Sequence, residues 1–221
     1  MGVGQIDNVG EGLAASPDRP RLAILDRDGT IIDVVRDEET GVIATAFHPN
    51  QLRLLDGAVE GMRALRDAGF LLAIATNQPG PAKGQCSSAA VERTNAALVE
   101  MLAHEGLVVA SLQVCMHHPK GGGEGALGDA SLIKVCDCRK PRSGLLEAAL
   151  RETGADPSQS WMIGDTRSDI DAARGAGVRA ALIFSKERCE LCPLRGGPAG
   201  APDVWGVDLR EIAKGIAQFP R

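Results

Sequence analysis

Short apolar runs alternate with segments of helical period along this chain. Residues 21–25 (RLAIL), 70–75 (FLLAIA), 108–115, 160–163 (SWMI) and 178–184 are short and mostly apolar. Unbroken apolar runs of this length suit strands covered on both faces, as in a parallel sheet. Between them, residues 57–68 place Val59, Met62, Leu65 and Ala68 on one face, with Gly69 as a stop, and Ser87 and Ser88 offer a cap for a helix running to Ala103. Residues 143–153, 167–175 and 209–218 also read as helices. The alternation predicts an α/β fold, a Rossmann-like three-layer sandwich with a parallel central sheet and helices on both faces. Residues 1–20 form an N-terminal arm, and residues 21–221 form one domain without an internal repeat. Residues 186–202, rich in Gly, Pro and Arg, read as an irregular excursion before the last helix.

In such sheets ligands collect at the carboxyl ends of the strands. Asp26, Asp28, Thr76 and Asp165 all fall at such ends, which makes them the candidate site. Composition narrows what that site binds. The chain holds 24 basic against 29 acidic residues, so it offers no positive excess for a nucleic-acid backbone, and four Phe, two Trp and no Tyr leave few stacking platforms. Its first twenty residues carry neither a basic start nor an apolar run, and no apolar stretch approaches the roughly 20 residues of a membrane span. The expectation is a cytoplasmic, monomeric protein acting on a small molecule, with no nucleic-acid or membrane partner.

Asp26 and Asp28 are separated by one residue where a strand gives way to a Gly-Thr turn, so extended backbone turns both the same way. Asp165, Asp169 and Asp171 arrive from another strand end. Crowded carboxylates raise one another's pKa unless a cation sits among them, and an oxygen-only set suits Mg²⁺. Such a cation beside a lysine neutralises a phosphate and leaves one carboxylate free to attack phosphorus. Taken singly, DRDGT also reads as a turn and GDTRSD as a helix cap.

Cys115-x-His117 and Cys136-x-Cys138 supply three thiolates and one imidazole, a full tetrahedral set for zinc with no position left for water, hence structural. His118 competes with His117 for the fourth place. The Gly-rich loop between the pairs lacks a core of its own, so a metal clip gives it a reason to be ordered. It would also hold Arg139 and Lys140 against the site. Cys86 reads as a lone thiol, and Cys189-x-x-Cys192 as structural or incidental.

Asp26-Arg27-Asp28-Gly29-Thr30, Thr76-Asn77-Gln78, Lys140-Pro141 and Gly164-Asp165-x-x-x-Asp169 together resemble the four motifs of the haloacid dehalogenase superfamily phosphatases, over residues 21–184. The Cys115–Pro119 and Cys136–Pro141 stretches resemble its zinc-bearing branch, which contains heptose bisphosphate and histidinol-phosphate phosphatases. The resemblance implies no large cap domain and an aspartyl-phosphate mechanism. Asp26 would be the nucleophile and Asp28 the general acid and base. Asp26, the main-chain carbonyl of Asp28, and Asp165 would hold Mg²⁺. Thr76, Asn77 and Lys140 would bind the phosphoryl group. The family's C-x-H pattern favours His117 as the zinc ligand. The implied substrate is a small phosphorylated metabolite, first the 7-phosphate of D-glycero-D-manno-heptose 1,7-bisphosphate, with histidinol phosphate as its rival.

The chain departs from that pattern in three segments around the expected entrance. Residues 31–49 are longer and acidic, with no Tyr; Pro79, Pro81 and Lys83 replace the usual Ser, Ile and Arg after the Thr-Asn-Gln motif; residues 121–128 are inserted. Arg139, Lys83 and Lys120 are the candidate contacts for a distal phosphate. A non-catalytic zinc-stabilised scaffold would require a broken catalytic set, whereas Asp26, Asp28, Thr76, Lys140 and Asp165 are all present.

Overall fold

A computed structural model describes residues 19–36, 39, 43–184 and 201–219. Strand β1 (Arg21–Leu25) leads into a small antiparallel hairpin, β2 (Val35–Arg36) with β3 (Ile43–Ala44). The chain continues through α1 (Ala58–Asp67), β4 (Phe70–Asn77), α2 (Ser88–His104) and β5 (Val109–Cys115). It then runs through α3 (Gly144–Thr153), β6 (Trp161–Gly164), α4 (Arg167–Ala176), β7 (Arg179–Ile183), β8 (Val204–Gly206) and α5 (Leu209–Gln218).

Six strands form one parallel sheet in the order β5-β4-β1-β6-β7-β8. Alternation along β1 shows how it is buried. Ala23 and Leu25 face a core completed by Met62 and Leu65 of α1, Leu98 and Leu102 of α2, and Ile212 of α5. Leu22 and Ile24 face the opposite core, with Leu145 and Leu146 of α3 and Ile170 and Ala173 of α4. The expected three-layer arrangement is therefore present, and Ser87 caps α2 as expected, its side chain accepting the Ala90 N–H.

The sheet grows from β1 out to β4 and β5, then returns to the other side of β1 with β6. This reversal opens a crevice at the carboxyl ends of β1 and β6, the usual ligand position in open α/β sheets. The Asp26 N–H donates to the Ile163 carbonyl at 2.8 Å, which ties the end of β1 to that of β6 at the reversal. Two elements went unread in the sequence: the hairpin, with two residues per strand, and β8, where Val204 and Gly206 are buried but Trp205 is exposed. The 1–18 part of the arm and the Cys189-x-x-Cys192 segment lie outside the described residues.

Candidate active site

Three adjacent strand ends build the site. Asp26 follows β1, Thr76 and Asn77 close β4, and Asp165 follows β6. Lys140 reaches between them from the loop ahead of α3. Its ammonium lies 2.9 Å from Asp26 Oδ1 and 2.6 Å from Asp169 Oδ1, and donates to the Ala75 carbonyl at 2.8 Å. Its side chain is 1% exposed. Burial works against charge there, but Asp169 and Asp26 outweigh it and hold the Lys140 pKa above its ordinary value. Burial pushes Asp26 up to about 6 despite Lys140, and the charges of Asp169 and Asp28 add to the rise.

Carboxylate oxygens of Asp26, Asp165 and Asp169 lie within 4.8 Å of one another. A buried all-carboxylate trio whose like charges lift a member's pKa is a donor set that a hard dication fits. Asp169 is the member that the sequence reading left out of its metal set. It is positioned by the start of α4, where its Oδ2 accepts the Thr166 N–H at 3.1 Å and the Thr166 hydroxyl at 2.6 Å. Gly164 leaves it room, since a Cβ there would meet Asp169 Cγ at 2.3 Å.

Asn77, expected at the phosphoryl oxygens, is committed elsewhere. Its amide donates to the Lys140 carbonyl at 3.0 Å and its oxygen accepts the Lys140 N–H at 3.1 Å, so it clamps the backbone that carries the ammonium. The buried Thr76 hydroxyl accepts from Gln78 Nε2 at 2.8 Å, which leaves its own proton to donate. The Asp28 carboxylate turns toward Arg27, Thr45 and Gln78 rather than into the acidic trio.

Across Asn77 from this site, the second cluster assembles as the sequence suggested. Cys138 Sγ is 3.1 Å from Cys115 Sγ, 3.3 Å from Cys136 Sγ and 3.2 Å from His117 Nδ1, and the Cys115–Cys136 separation is 3.7 Å. Tetrahedral bonds of about 2.3 Å to sulfur place thiolates about 3.8 Å apart, close to these spacings. Burial and then the neighbouring thiols push the Cys138 thiol far up, crowding that a bound dication relieves. His118 is excluded from the cluster: its Nδ1 accepts the Lys120 N–H at 3.4 Å, and its backbone pairs with Leu132 and Lys134. Arg139 donates to the His117 carbonyl at 3.3 Å, so the cluster adjoins the cations beside the catalytic crevice. Burial, then the charges of Lys83, Arg139 and Lys120, hold the His118 pKa low.

Comparison with known proteins matches this geometry. A family model described as HAD-hydrolase-like matches residues 137–190. The D-glycero-beta-D-manno-heptose-1,7-bisphosphate 7-phosphatase of Haemophilus influenzae is 34% identical over 198 residues, 88% of this chain and 97% of that protein. The chain belongs to the haloacid dehalogenase phosphatases. The enzyme of the same name from Pseudomonas aeruginosa is 32% identical over 89% of this chain and 98% of its own length. Among solved structures, the D,D-heptose 1.7-bisphosphate phosphatase of B. bronchiseptica, complexed with magnesium and phosphate, is similar with a TM-score of 0.68 and 26% identity. That match covers 90% of this chain and 98% of that one.

This phosphatase is a phosphoric monoester hydrolase, and among its described residues no helix is long and apolar enough to cross a membrane. Two features around its crevice were missed in the sequence. Phe47, which follows the hairpin, would come within 2.8 Å of a Cβ on Gly80, so the long 31–49 segment packs an aromatic ring against the turn that follows β4. Arg27, inside the DRDGT motif and without an assigned role in the sequence, is completely buried.

Proposed function

We propose that this phosphatase hydrolyses the 7-phosphate of D-glycero-D-manno-heptose 1,7-bisphosphate through an aspartyl-phosphate on Asp26. The observation that carries the chemistry is the Asp26 carboxylate 2.9 Å from a buried ammonium, within a trio of acidic side chains. Asp26 attacks phosphorus and displaces the sugar oxygen, which takes a proton from Asp28. Asp28 then removes a proton from the water that cleaves the phosphoenzyme. Lys140 and the Thr76 hydroxyl neutralise the phosphoryl oxygens as charge spreads over them. Mg²⁺, which Asp26, Asp165 and the Asp28 carbonyl would hold with Asp169 completing the acidic trio beside it, would supply further positive charge at the phosphoryl group. Asn77 serves by fixing Lys140, and a structural Zn²⁺ on Cys115, His117, Cys136 and Cys138 ties down the loop that precedes Arg139.

Lys83, Lys120 and Arg139, whose charges all act on His118, are suited to a second, distal phosphate. The names of the relatives support the bisphosphate over a monophosphate substrate. Phosphate release measured side by side from heptose bisphosphate, histidinol phosphate and other sugar phosphates tests this. A kcat/KM highest for the bisphosphate is expected; a higher value for histidinol phosphate would overturn the substrate assignment while leaving the chemistry in place.

A further inference from the structure

An arginine next to a phosphate-handling aspartate is ordinarily read as a phosphate ligand, but Arg27 is not available for that. Its side chain is 0% exposed. Nε and Nη2 donate to Asp28 Oδ2 and Oδ1, each at 3.1 Å. Nη1 donates to Asn95 Oδ1 of α2 at 2.7 Å. Nη2 also contacts Gln78 Oε1 at 2.9 Å, the Ala46 carbonyl at 3.2 Å and the Thr45 hydroxyl. Every one of these partners is an acceptor, and they come from four separate segments: the end of β1, the segment after β3, the end of β4, and α2. The guanidinium is thus fixed on all sides, and its fork grips one carboxylate.

Asp28 receives two more donors from the same assembly, the Thr45 hydroxyl at 2.6 Å to Oδ1 and Gln78 Nε2 at 2.6 Å to Oδ2. Four donors on one carboxylate fix both its position and its rotation, and when Asp28 carries the proton it is to deliver, the Thr45 hydroxyl turns to accept at Oδ1 instead of donating there. A group that must deliver a proton to one particular leaving oxygen gains from that restraint, because misplacing a catalytic group by an ångström costs rate steeply.

We infer that Arg27 is a positioning residue for Asp28, and that Thr45, carried behind the hairpin, couples that segment to proton delivery. The inference rests on the reading of Asp28 as the general acid. Its prediction concerns the leaving group: a misplaced acid slows departure of an alkoxide, which needs a proton, and spares departure of p-nitrophenolate, which does not.

The test measures kcat/KM, which reports phosphoryl transfer to the enzyme and not the later hydrolysis, for p-nitrophenyl phosphate and for the sugar phosphate that the intact enzyme hydrolyses fastest. General acid catalysis contributes about 10²–10⁴-fold, so Arg27→Met is expected to lose about 10²-fold on the sugar phosphate and within about 5-fold on the aryl ester. Thr45→Val is expected to lose about 10-fold with the same bias, and Arg27→Lys to recover part of the Arg27→Met loss. Asp28→Asn provides the reference. If it shows the bias and the Arg27 and Thr45 variants lose equally on both substrates, the positioning role is overturned. If Asp28→Asn itself lacks the bias, the general-acid reading fails and the inference falls with it. Should Arg27→Met not fold, as judged by circular dichroism, the partly exposed Thr45→Val decides alone.

Discussion

Replacing Lys140 with methionine keeps most of the side-chain volume and removes the charge together with its donors. Those donors go to Asp26, Asp169 and the Ala75 carbonyl, at 2.9, 2.6 and 2.8 Å. The Asp169 side chain is only 2% exposed, so water does not replace the lost ammonium there. Removing one partner of a buried ion pair costs about 3–5 kcal/mol, and each kcal/mol moves the melting temperature of a domain this size by about 2–4 °C. The expected fall is therefore about 6–20 °C without divalent cation. A pH signature accompanies it. Burial already lifts Asp26 from 3.8 to about 6, and loss of Lys140, which lowers it, lifts it further. The folded variant then takes up a proton before the unfolded chain does, so its deficit is full above that raised pKa and shrinks as pH falls toward the ordinary carboxylate range. Scanning calorimetry of both proteins at pH 8 and pH 5 reads the effect. A variant melting within about 1 °C of the parent at pH 8, or a gap that widens at pH 5, would refute this account of the buried trio.

Three further outcomes are expected. Gly164→Ala forces a methyl against Asp169, 2.3 Å from its Cγ, and overpacking of this kind costs about 1–3 kcal/mol, so thermal melting should show lower stability and phosphate release should fall with it. In the metal-free protein a proton competes with Mg²⁺ at Asp26, whose pKa is about 6, so Mg²⁺ affinity by calorimetric titration should be about tenfold weaker at pH 5 than at pH 7; an unchanged affinity would contradict that Asp26 is a ligand. Cys138→Ser should lower the zinc content found by metal analysis and open residues 121–135 to limited proteolysis, because that loop exposes Leu127 and Val135 and carries few buried apolar groups of its own.

Much of this arrangement was legible in the sequence, and the reason differs by element. Residues 21–25, 70–75 and 160–163 could be read as strands because burial on both faces leaves an unbroken apolar run. Val204–Gly206 could not, because three residues with an exposed Trp205 in the middle carry no such signal. Asp26, Asp28, Asp165 and the Cys/His set stood out as candidates because their chemistry requires those residue types at short spacing. Asn77 was assigned to phosphate through the family resemblance of the Thr-Asn-Gln motif, which carries no information on side-chain direction; only the structure reveals that both ends of its amide are spent on Lys140. Arg27, Thr45 and Gln78 were missed for a similar reason, since their meeting depends on α2 and the hairpin closing over β1, a long-range event with no local pattern. Period-2 alternation places Arg27 opposite Asp26 and Asp28, which was the one available hint that its side chain enters the interior.

The central claim is that Asp26 becomes covalently phosphorylated. The most direct measurement is phosphate release from heptose bisphosphate with Mg²⁺ by the intact enzyme and by Asp26→Asn, with circular dichroism and melting confirming that both are folded. The account predicts that the folded variant releases no phosphate above background; release at a rate near that of the intact enzyme would contradict it.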